Sequence, residues 1–321
     1  MNLLITGGLG FIGSNLARRL VREGHEVTLV DSLIPQYGGN LFNINDIQGL
    51  LRINISDIRD PHSIRELLKG VDIIFNLAGQ TSHADSMSDP FVDLDINAKA
   101  QLSLLEALRE VAPEAVVVFA STRQIYGRPK YLPVNESHPI RPVDVNGVNK
   151  VAGEQFHMLY HDVYGIRTTS LRLTNTYGPG MRVKDARQTF LGIWIKNLLC
   201  GDPIYVFGDG LQLRDFNYVD DVVEALFKAA FTPECYGRSF NLGGSEVINL
   251  SDLAQLLVDQ HPGGTWQLVP FPPDRKAIDI GDYYSDYRLA NQLIDWCPLV
   301  SLKDGITKTL AYYQQNLNHY L

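Results

Sequence analysis

The first half of the chain alternates short apolar runs with longer segments in which apolar positions recur every three or four residues. Runs such as NLLIT, EVTLVD, VDIIFN and AVVVFA predict buried strands, and segments such as NLARRLVRE and AQLSLLEALREV predict amphipathic helices. Strands that alternate with helices form a parallel sheet with helices on both faces. We therefore predict an α/β fold with a doubly wound parallel sheet.

The pattern changes near residue 176, where prolines and aromatic residues become more frequent and the alternation less regular. We predict a Rossmann-type domain over residues 1–175 and a smaller α/β lobe over residues 176–321. Residues 216–244 are predicted to return to the first domain. A chain of 321 residues is long enough for two such units.

Composition and charge narrow the classes of partner. The net charge is -8, which argues against a general nucleic-acid or anionic-membrane binder. No apolar run reaches the roughly 18 residues that span a bilayer, and the N-terminus lacks a signal-peptide pattern. The three cysteines are scattered without metal-binding spacing. We expect a cytoplasmic protein with no metal site and no membrane partner.

A glycine-rich turn between the first strand and the first helix predicts a dinucleotide site. The segment ITGGLGFIGSNLARRL places glycines at Gly7, Gly10 and Gly13. Glycine lets the backbone approach a pyrophosphate, and the helix N-terminus supplies free N–H groups. The second strand ends in Asp31, whose carboxylate accepts hydrogen bonds from ribose hydroxyls and repels a 2′-phosphate. The sequence therefore favours NAD over NADP.

Several further segments carry a family resemblance. The glycine spacing is GxxGxxG, and it is followed by SDIRD, NLAGQTSH, DINAKA, FASTRQIYG, LRLTNTYGPG and FGDGLQLRDFNYVDDV. Together these segments resemble the extended branch of the short-chain dehydrogenase/reductase superfamily, the NAD-dependent nucleotide-sugar epimerase/dehydratase group that includes UDP-glucose 4-epimerase-like proteins. The resemblance covers essentially the whole chain. It implies an NAD-dependent enzyme that modifies a nucleoside-diphosphate sugar.

The resemblance also assigns ligand contacts. It implies cofactor contacts at Gly7, Gly10, Phe11, Ile12, Gly13, Asp31, Asp57, Ile58, Leu77, Ala78 and Lys150. The second lobe holds the nucleotide sugar in this group, with contacts expected at His83, Arg123, Asn175, Gln212, Arg214 and Arg275. The planar guanidinium fork suits a diphosphate, so Arg214 and Arg275 are its expected clamp. Two of these residues have an alternative role: His83 could instead cap a helix, and Arg123 could instead form a salt bridge.

Members of this group catalyse proton transfer with a Ser or Thr and a Tyr-x-x-x-Lys pair on one helix. Thr122 and Lys150 match the hydroxyl residue and the lysine, but Asn146 stands at the tyrosine position. Asparagine is no general base near neutral pH, although its amide forms hydrogen bonds. The expected catalytic set is therefore Thr122, Asn146 and Lys150, with proton transfer unassigned.

Three hypotheses follow from the asparagine. In the first, the protein is an epimerase whose base is Tyr126, His83 or a substrate-relayed group. In the second, it is a reductase or isomerase of a sugar that already carries a keto group. In the third, Asn146 only begins a helix and the protein binds NAD and nucleotide sugar without turnover.

The two residues after Thr122 argue against dehydration and decarboxylation of the sugar. The family's 4,6-dehydratases carry an Asp-Glu pair there, and its decarboxylases keep a Glu at the second position. Here the pair is Arg123 and Gln124, so neither carboxylate is present. Epimerisation through a transient keto sugar requires no such pair. The family also leads us to expect a homodimer, with AQLSLLEALREV and VAGEQFHMLYHDVYG as its interface helices.

Overall fold

Seven parallel strands form the main sheet of the protein. The computed structural model describes residues 1–34 and 36–321. The strands lie in the order β10-β6-β5-β4-β1-β2-β3. Their bounds are β1 Asn2–Thr6, β2 Glu26–Asp31, β3 Leu51–Ile55, β4 Ile73–Asn76, β5 Val116–Thr122, β6 Arg167–Leu173 and β10 Arg238–Asn241. The predicted Rossmann-type sheet is confirmed.

Two small sheets belong to the second half of the chain. One has the order β11-β9-β7, and in the other β12 pairs with β8 in parallel. Their bounds are β7 Asn175–Tyr177, β8 Ile204–Phe207, β9 Leu213–Tyr218, β11 Val247–Asn249 and β12 Trp266–Val269. β7 begins two residues after β6 ends and pairs with β9, so the first of these sheets adjoins the carboxyl edge of the main sheet.

Helices connect and cover the strands. Their bounds are α1 Phe11–Arg22, α2 Pro61–Leu67, α3 His83–Ser88, α4 Pro90–Leu94, α5 Ala100–Val111, α6 Val145–Tyr164, α7 Phe190–Cys200, α8 Val219–Ala230, α9 Leu250–Asp259, α10 Pro273–Ala277, α11 Arg288–Ile294 and α12 Leu302–Asn316. One turn of π-helix, Asp95–Lys99, joins α4 to α5, and a 3-10 turn, Arg123–Tyr126, follows β5.

The order of the central strands decides where a ligand can bind. The chain runs outward from β1 through β2 to β3, then returns to place β4 on the other side of β1. Loops after β1 and β4 therefore diverge and leave a crevice at the carboxyl edge of the sheet. β4 is buried along its whole length, as a strand between two helical layers must be.

The chain crosses back to the main sheet late in the sequence. β10 pairs with β6 at the sheet edge, from Arg238 against Thr169 to Asn241 against Arg172. The preceding helix α8 packs beside α1, where the Arg19 guanidinium lies 4.6 Å from the ring centre of Phe227. The division of the chain at residue 175 stays a prediction.

Across residues 1–34 and 36–321, no helix is both long and apolar enough to cross a membrane. The same residues contain no group of three or more His, Cys, Asp or Glu side chains placed to hold a metal ion.

Candidate active site

The turn between β1 and α1 leaves no room for side chains. Gly7 has a φ of +67°, in the left-handed region that favours glycine. A Cβ on Gly13 would lie 2.3 Å from the carbonyl oxygen of Gly7. Gly10 precedes α1, and no described side chain caps the N–H groups that begin at Phe11 and Ile12. This open turn and free helix N-terminus fit a pyrophosphate.

Asp31 ends β2 beside the same turn. Its Oδ2 accepts a hydrogen bond from the Leu9 N–H at 3.1 Å, and its Oδ1 accepts one from the Leu33 N–H at 2.9 Å. Burial raises the pKa of Asp31, and these two N–H groups oppose the rise. A carboxylate has about four lone-pair sites, so it retains acceptors for ribose hydroxyls. This donor set fits the adenosine ribose of NAD.

The other predicted cofactor residues lie on adjoining loops. The N–H groups of Leu77 and Ala78 both donate to the Thr6 hydroxyl at 3.1 Å. These bonds fix the loop that follows β4, here called the β4 loop, against the end of β1. A Cβ on Gly7 would lie 3.0 Å from the Ala78 nitrogen, so the two loops touch.

After β3, Ile58 is buried beside the adjoining Asp57. The Asp57 carboxylate binds Arg59, and that hydrogen bond is the main reason why its pKa lies below the ordinary value. The structure thus brings both residues to the same carboxyl edge of the sheet as the glycine turn.

Lys150 lies in α6 with its amine buried behind the β4 loop. Its Nζ donates to the carbonyl oxygen of Ala120 at 3.1 Å. Burial lowers the pKa of Lys150 to about 8, and the charge of Asp93 opposes the shift. A Cβ on Gly79 would lie 2.9 Å from Asn97 Oδ1 and 3.0 Å from the lysine amine. The Lys150 amine and the Asn97 amide oxygen therefore both lie close to the backbone of the loop after β4.

Asn146 is held by a buried acid of another helix. Its Nδ2 donates to Asp93 Oδ2 at 2.9 Å and to the carbonyl oxygen of Gln80 at 2.8 Å. Asp93, in α4, is fully buried, and its other oxygen accepts from Asn149 Nδ2 at 2.8 Å. Both donor hydrogens of the Asn146 amide are thus committed to the protein. The residue at the tyrosine position ties α6 to α4.

Thr122 leads into a chain of polar contacts that ends at His83. Its hydroxyl accepts from the Gln124 N–H at 3.2 Å, and Gln124 Nε2 donates to Asp144 Oδ2 at 2.8 Å. Asp144 begins α6, where its Oδ1 accepts from the Gly147 N–H at 2.6 Å. His83 Nδ1 lies 3.0 Å from Asp144 Oδ2, although the ring is not aligned for a straight hydrogen bond.

Asp144 is charged despite being buried. Burial alone would raise its pKa, but hydrogen bonding with His83 and the charge of that ring, followed by bonds from Gly147 and Gln124, hold the pKa below its ordinary value. The His83 side chain remains 38% exposed. A buried carboxylate thus lies in contact with a half-exposed imidazole, a side chain that can accept a proton.

The buried phenol of Tyr126 is engaged on both sides. Its hydroxyl donates to Asn241 Oδ1 at 2.7 Å and accepts from Arg172 Nη1 at 2.6 Å. Burial raises the pKa of Tyr126 to about 12, against the opposing charge of Arg172. A phenol that holds its proton so firmly is unsuited to accept another near neutral pH.

The predicted substrate arginines occupy different environments. Arg214 is buried in β9, where it donates to Leu213 O at 2.8 Å and lies 3.4 Å from Asp279 Oδ1. Burial, followed by the charge of Arg123, lowers the pKa of Arg214 to about 10. Arg275 is exposed on α10, with its guanidinium 6.0 Å from the ring centre of Phe207. Their joint role as a diphosphate clamp stays a prediction.

Two more predicted contacts lie on the second-lobe side. Asn175 begins β7; its Nδ2 donates to the Asp215 carbonyl oxygen at 2.9 Å, and its Oδ1 accepts from Arg123 at 2.9 Å. Gln212 precedes β9, and its Oε1 is buried without a hydrogen-bond partner among the described residues. Both side chains thus offer polar groups beside the carboxyl edge of the main sheet.

Several residues of this site were not predicted from the sequence. Asp93, Gln80 and Asn149 have contact partners more than 50 positions away or on another element. No local pattern marks such residues. Asp144 was detectable, because an aspartate directly before a predicted helix is a common N-cap. Its contact with His83, by contrast, depends on the folded arrangement.

The role of Asn146 generates the first prediction. We expect Asn146→Ala to lower the free energy of unfolding by about 1–3 kcal/mol, because Asp93 and the Gln80 carbonyl lose a buried donor. Urea unfolding measures this. The matched control is Asn45→Ala, at an exposed asparagine, which we expect to change stability by less than about 0.5 kcal/mol. Equal stability of the Asn146 variant and the wild type would contradict a tethering role.

Comparisons with known proteins agree with this geometry. The sequence model of the NAD dependent epimerase/dehydratase family matches residues 3–243. A putative UDP-glucose 4-epimerase of Methanocaldococcus jannaschii is 31% identical over 315 residues, which cover 98% of this chain and 99% of that protein.

Two solved structures share the fold along the whole chain. The dTDP-glucose 4,6-dehydratase DesIV of Streptomyces venezuelae, solved with NAD bound, has a TM-score of 0.90 at 27% identity and covers 99% of this chain and 98% of its own. The UDP-glucose 4-epimerase of Thermotoga maritima, solved with UDP-glucose, has a TM-score of 0.89 at 29% identity and covers 99% and 100%. This chain is an enzyme of the NAD-dependent epimerase/dehydratase family, and its cofactor is NAD.

Proposed function

We propose that the protein epimerises a nucleoside-diphosphate sugar through a transient keto intermediate. One observation carries the proposal: Thr122 and buried Lys150 lie at the carboxyl edge of the central strands, while Arg123 and Gln124 replace the carboxylate pair that water elimination requires. Epimerisation needs a hydroxyl proton acceptor and a reversible hydride transfer, and no acid for a departing hydroxyl. The named relatives, which include both epimerases and dehydratases, support the substrate class.

The cofactor has a defined set of proposed contacts. The turn from Gly7 to Gly13 would hold the pyrophosphate, Asp31 the adenosine ribose, and Lys150 the nicotinamide ribose. Bound NAD supplies the hydride acceptor and donor for a reaction of this kind. The chain's own residues bind and orient the sugar and move the hydroxyl proton. Thr122 would hydrogen-bond the reacting oxygen.

The proton acceptor is the step that the family pattern leaves open. Asn146 is unsuited, because an amide is not basic and both of its donor hydrogens are already used. Tyr126 is unsuited because its phenol is buried and hydrogen-bonded on both sides. We therefore assign the role to His83. With Nδ1 turned to Asp144, the other ring nitrogen is free to accept a proton.

Activity on a panel of nucleotide sugars tests the proposed function. The NAD-loaded protein is incubated with UDP- and dTDP-linked hexoses and hexuronic acids, and the protein loaded with NADH, the hydride donor that a reduction requires, is incubated with 4-keto sugars. NADH absorbance is followed, and products are identified by NMR. We expect an epimeric product and a small transient NADH signal. Lys150→Ala should reduce turnover, because it removes the amine beside the β4 loop.

The panel also separates the alternatives. Turnover of keto sugars alone would contradict epimerisation and support a reductase or isomerase. Binding without any product, keto sugars included, would support a protein that binds NAD and nucleotide sugar without turnover.

The assignment of His83 generates a prediction about kinetics. We expect His83→Gln to lower kcat by about 100-fold or more, the usual contribution of a general base, with nucleotide-sugar binding nearly unchanged. His62→Gln, at an exposed histidine of α2, is the control. Wild-type turnover by His83→Gln would rule this residue out as the base.

We also propose a homodimer through the outer face of α6. Three apolar side chains on this helix are largely exposed: Val148 at 54%, Leu159 at 51% and Val163 at 59%. A group of exposed apolar side chains on one surface is typical of a protein–protein interface. Light scattering should give twice the 35.9 kDa of one chain.

The double variant Leu159→Glu/Val163→Glu should give the mass of one chain, because it places charges on this apolar face. Leu299→Glu, at an exposed leucine outside α6, should leave the mass unchanged. A monomeric wild type, or a dimer that tolerates both glutamates, would contradict this interface.

A further inference from the structure

Arg123 buries a guanidinium without a neutralising carboxylate. Its Nη2 donates to Asn175 Oδ1 at 2.9 Å, and its guanidinium carbon lies 5.1 Å from the ring centre of Tyr283. Its Nη1 is buried and has no hydrogen-bond partner in the described part of the chain. Within residues 1–34 and 36–321, no carboxylate oxygen forms an ion pair with it inside 4.0 Å.

Among the carboxylates, the charge of Asp215 acts most strongly on Arg123. The oxygens of Asp215, however, already accept hydrogen bonds from other groups. Its Oδ1 accepts from the Thr174 hydroxyl at 2.5 Å. Its Oδ2 accepts from the Gly244 N–H at 3.2 Å and the Ser285 N–H at 3.0 Å. These bonds hold the carboxylate in the frame of the second lobe, so it is not free to turn toward Arg123.

The two other acids that influence Arg123 are also engaged. Asp279 lies by Arg214 and accepts from the Gly281 N–H at 3.1 Å, and Asp144 binds Gln124 and the start of α6. Burial lowers the pKa of Arg123 in spite of these acids. An arginine nevertheless stays protonated, so an anionic group of a ligand would be a favourable partner for this charge.

The position of Arg123 shows which part of a ligand it would meet. It follows Thr122 at the carboxyl end of β5, and its partner Asn175 begins β7 directly beyond β6. Thr122 and Asn175 therefore flank the place where the reacting sugar would lie. The predicted diphosphate contact, Arg214, is on the separate strand β9.

We propose that Arg123 binds a carboxylate carried by the sugar ring, so that the substrate is a nucleoside-diphosphate uronic acid. This inference rests on the proposed function and names its substrate class. The Nη1 edge has donors to spare, and the planar fork of arginine matches a carboxylate with two parallel hydrogen bonds. A neutral hydroxymethyl group would accept a hydrogen bond but would leave the buried charge uncompensated.

Paired ligands that differ at one carbon test the inference. UDP-glucose and UDP-glucuronic acid, and likewise UDP-galactose and UDP-galacturonic acid, are titrated into the NAD-loaded protein by calorimetry. We expect the uronic acid of at least one pair to bind about tenfold or more tightly than its neutral partner, the usual gain from a buried charged hydrogen bond. Turnover in the panel should follow the same preference.

Variants show whether the preference comes from Arg123. Arg123→Gln should remove it by weakening the uronic acid, with little change for the neutral sugar, and Arg123→Lys should keep part of it. Arg65→Gln, at an exposed arginine of α2, should leave both affinities unchanged. Should Arg123→Gln not fold, the lysine variant and the wild-type pair comparison still decide the question.

The outcomes separate this inference from the proposed function. Equal affinity for both members of each pair overturns the carboxylate assignment alone. So does an equal loss of both affinities in Arg123→Gln, which would indicate a structural role. If no nucleotide sugar binds at all, the proposed function fails with it.

Discussion

A buried carboxylate must be hydrogen-bonded, and Asp93 satisfies that requirement with the first turn of α6. Its two oxygens accept from Asn146 and Asn149, which lie three residues apart and so face the same side of the helix. The same helix carries Lys150, whose amine reaches under the β4 loop to the carbonyl oxygen of Ala120. The position of α6 against α4 thus determines where the Lys150 amine lies.

This constraint gives Asn146 a structural role at the position where the family resemblance predicts a tyrosine. A tyrosine could not supply two donor hydrogens to Asp93 and the Gln80 carbonyl, whereas the amide does. The proposed proton acceptor is therefore His83, whose exposed edge lies beside the buried Asp144 carboxylate. Arg123 adds a positive charge to the same rim.

The sequence predicted the elements that local patterns determine. Apolar runs predicted the strands, and the glycine spacing predicted the turn between β1 and α1, because a strand, a tight turn and a helix N-terminus are all encoded within a few residues. The predicted roles of the individual site residues stay predictions. Asp93 was missed, because nothing near it in sequence distinguishes it from a surface acid on a helix.

The arginines illustrate the same limit. Arg214 and Arg275 looked equivalent in sequence, but one is buried in a strand and the other is exposed on a short helix. Burial depends on packing between distant segments, so residue type and motif spacing do not determine it. From the sequence, Arg123 could form either a salt bridge or a ligand contact. In the fold, no carboxylate among the described residues forms an ion pair with it.

The central claim is that the sugar is oxidised and reduced at the same carbon. The most direct measurement is the fate of that hydrogen: a nucleotide sugar that turns over is labelled with deuterium at the epimerised carbon, and the reaction is run in ordinary water. The account predicts that the epimeric product retains the deuterium, because the hydrogen removed from the carbon is returned to its other face. Loss of the label to solvent would contradict the account, because it would mean that the carbon is epimerised by proton exchange.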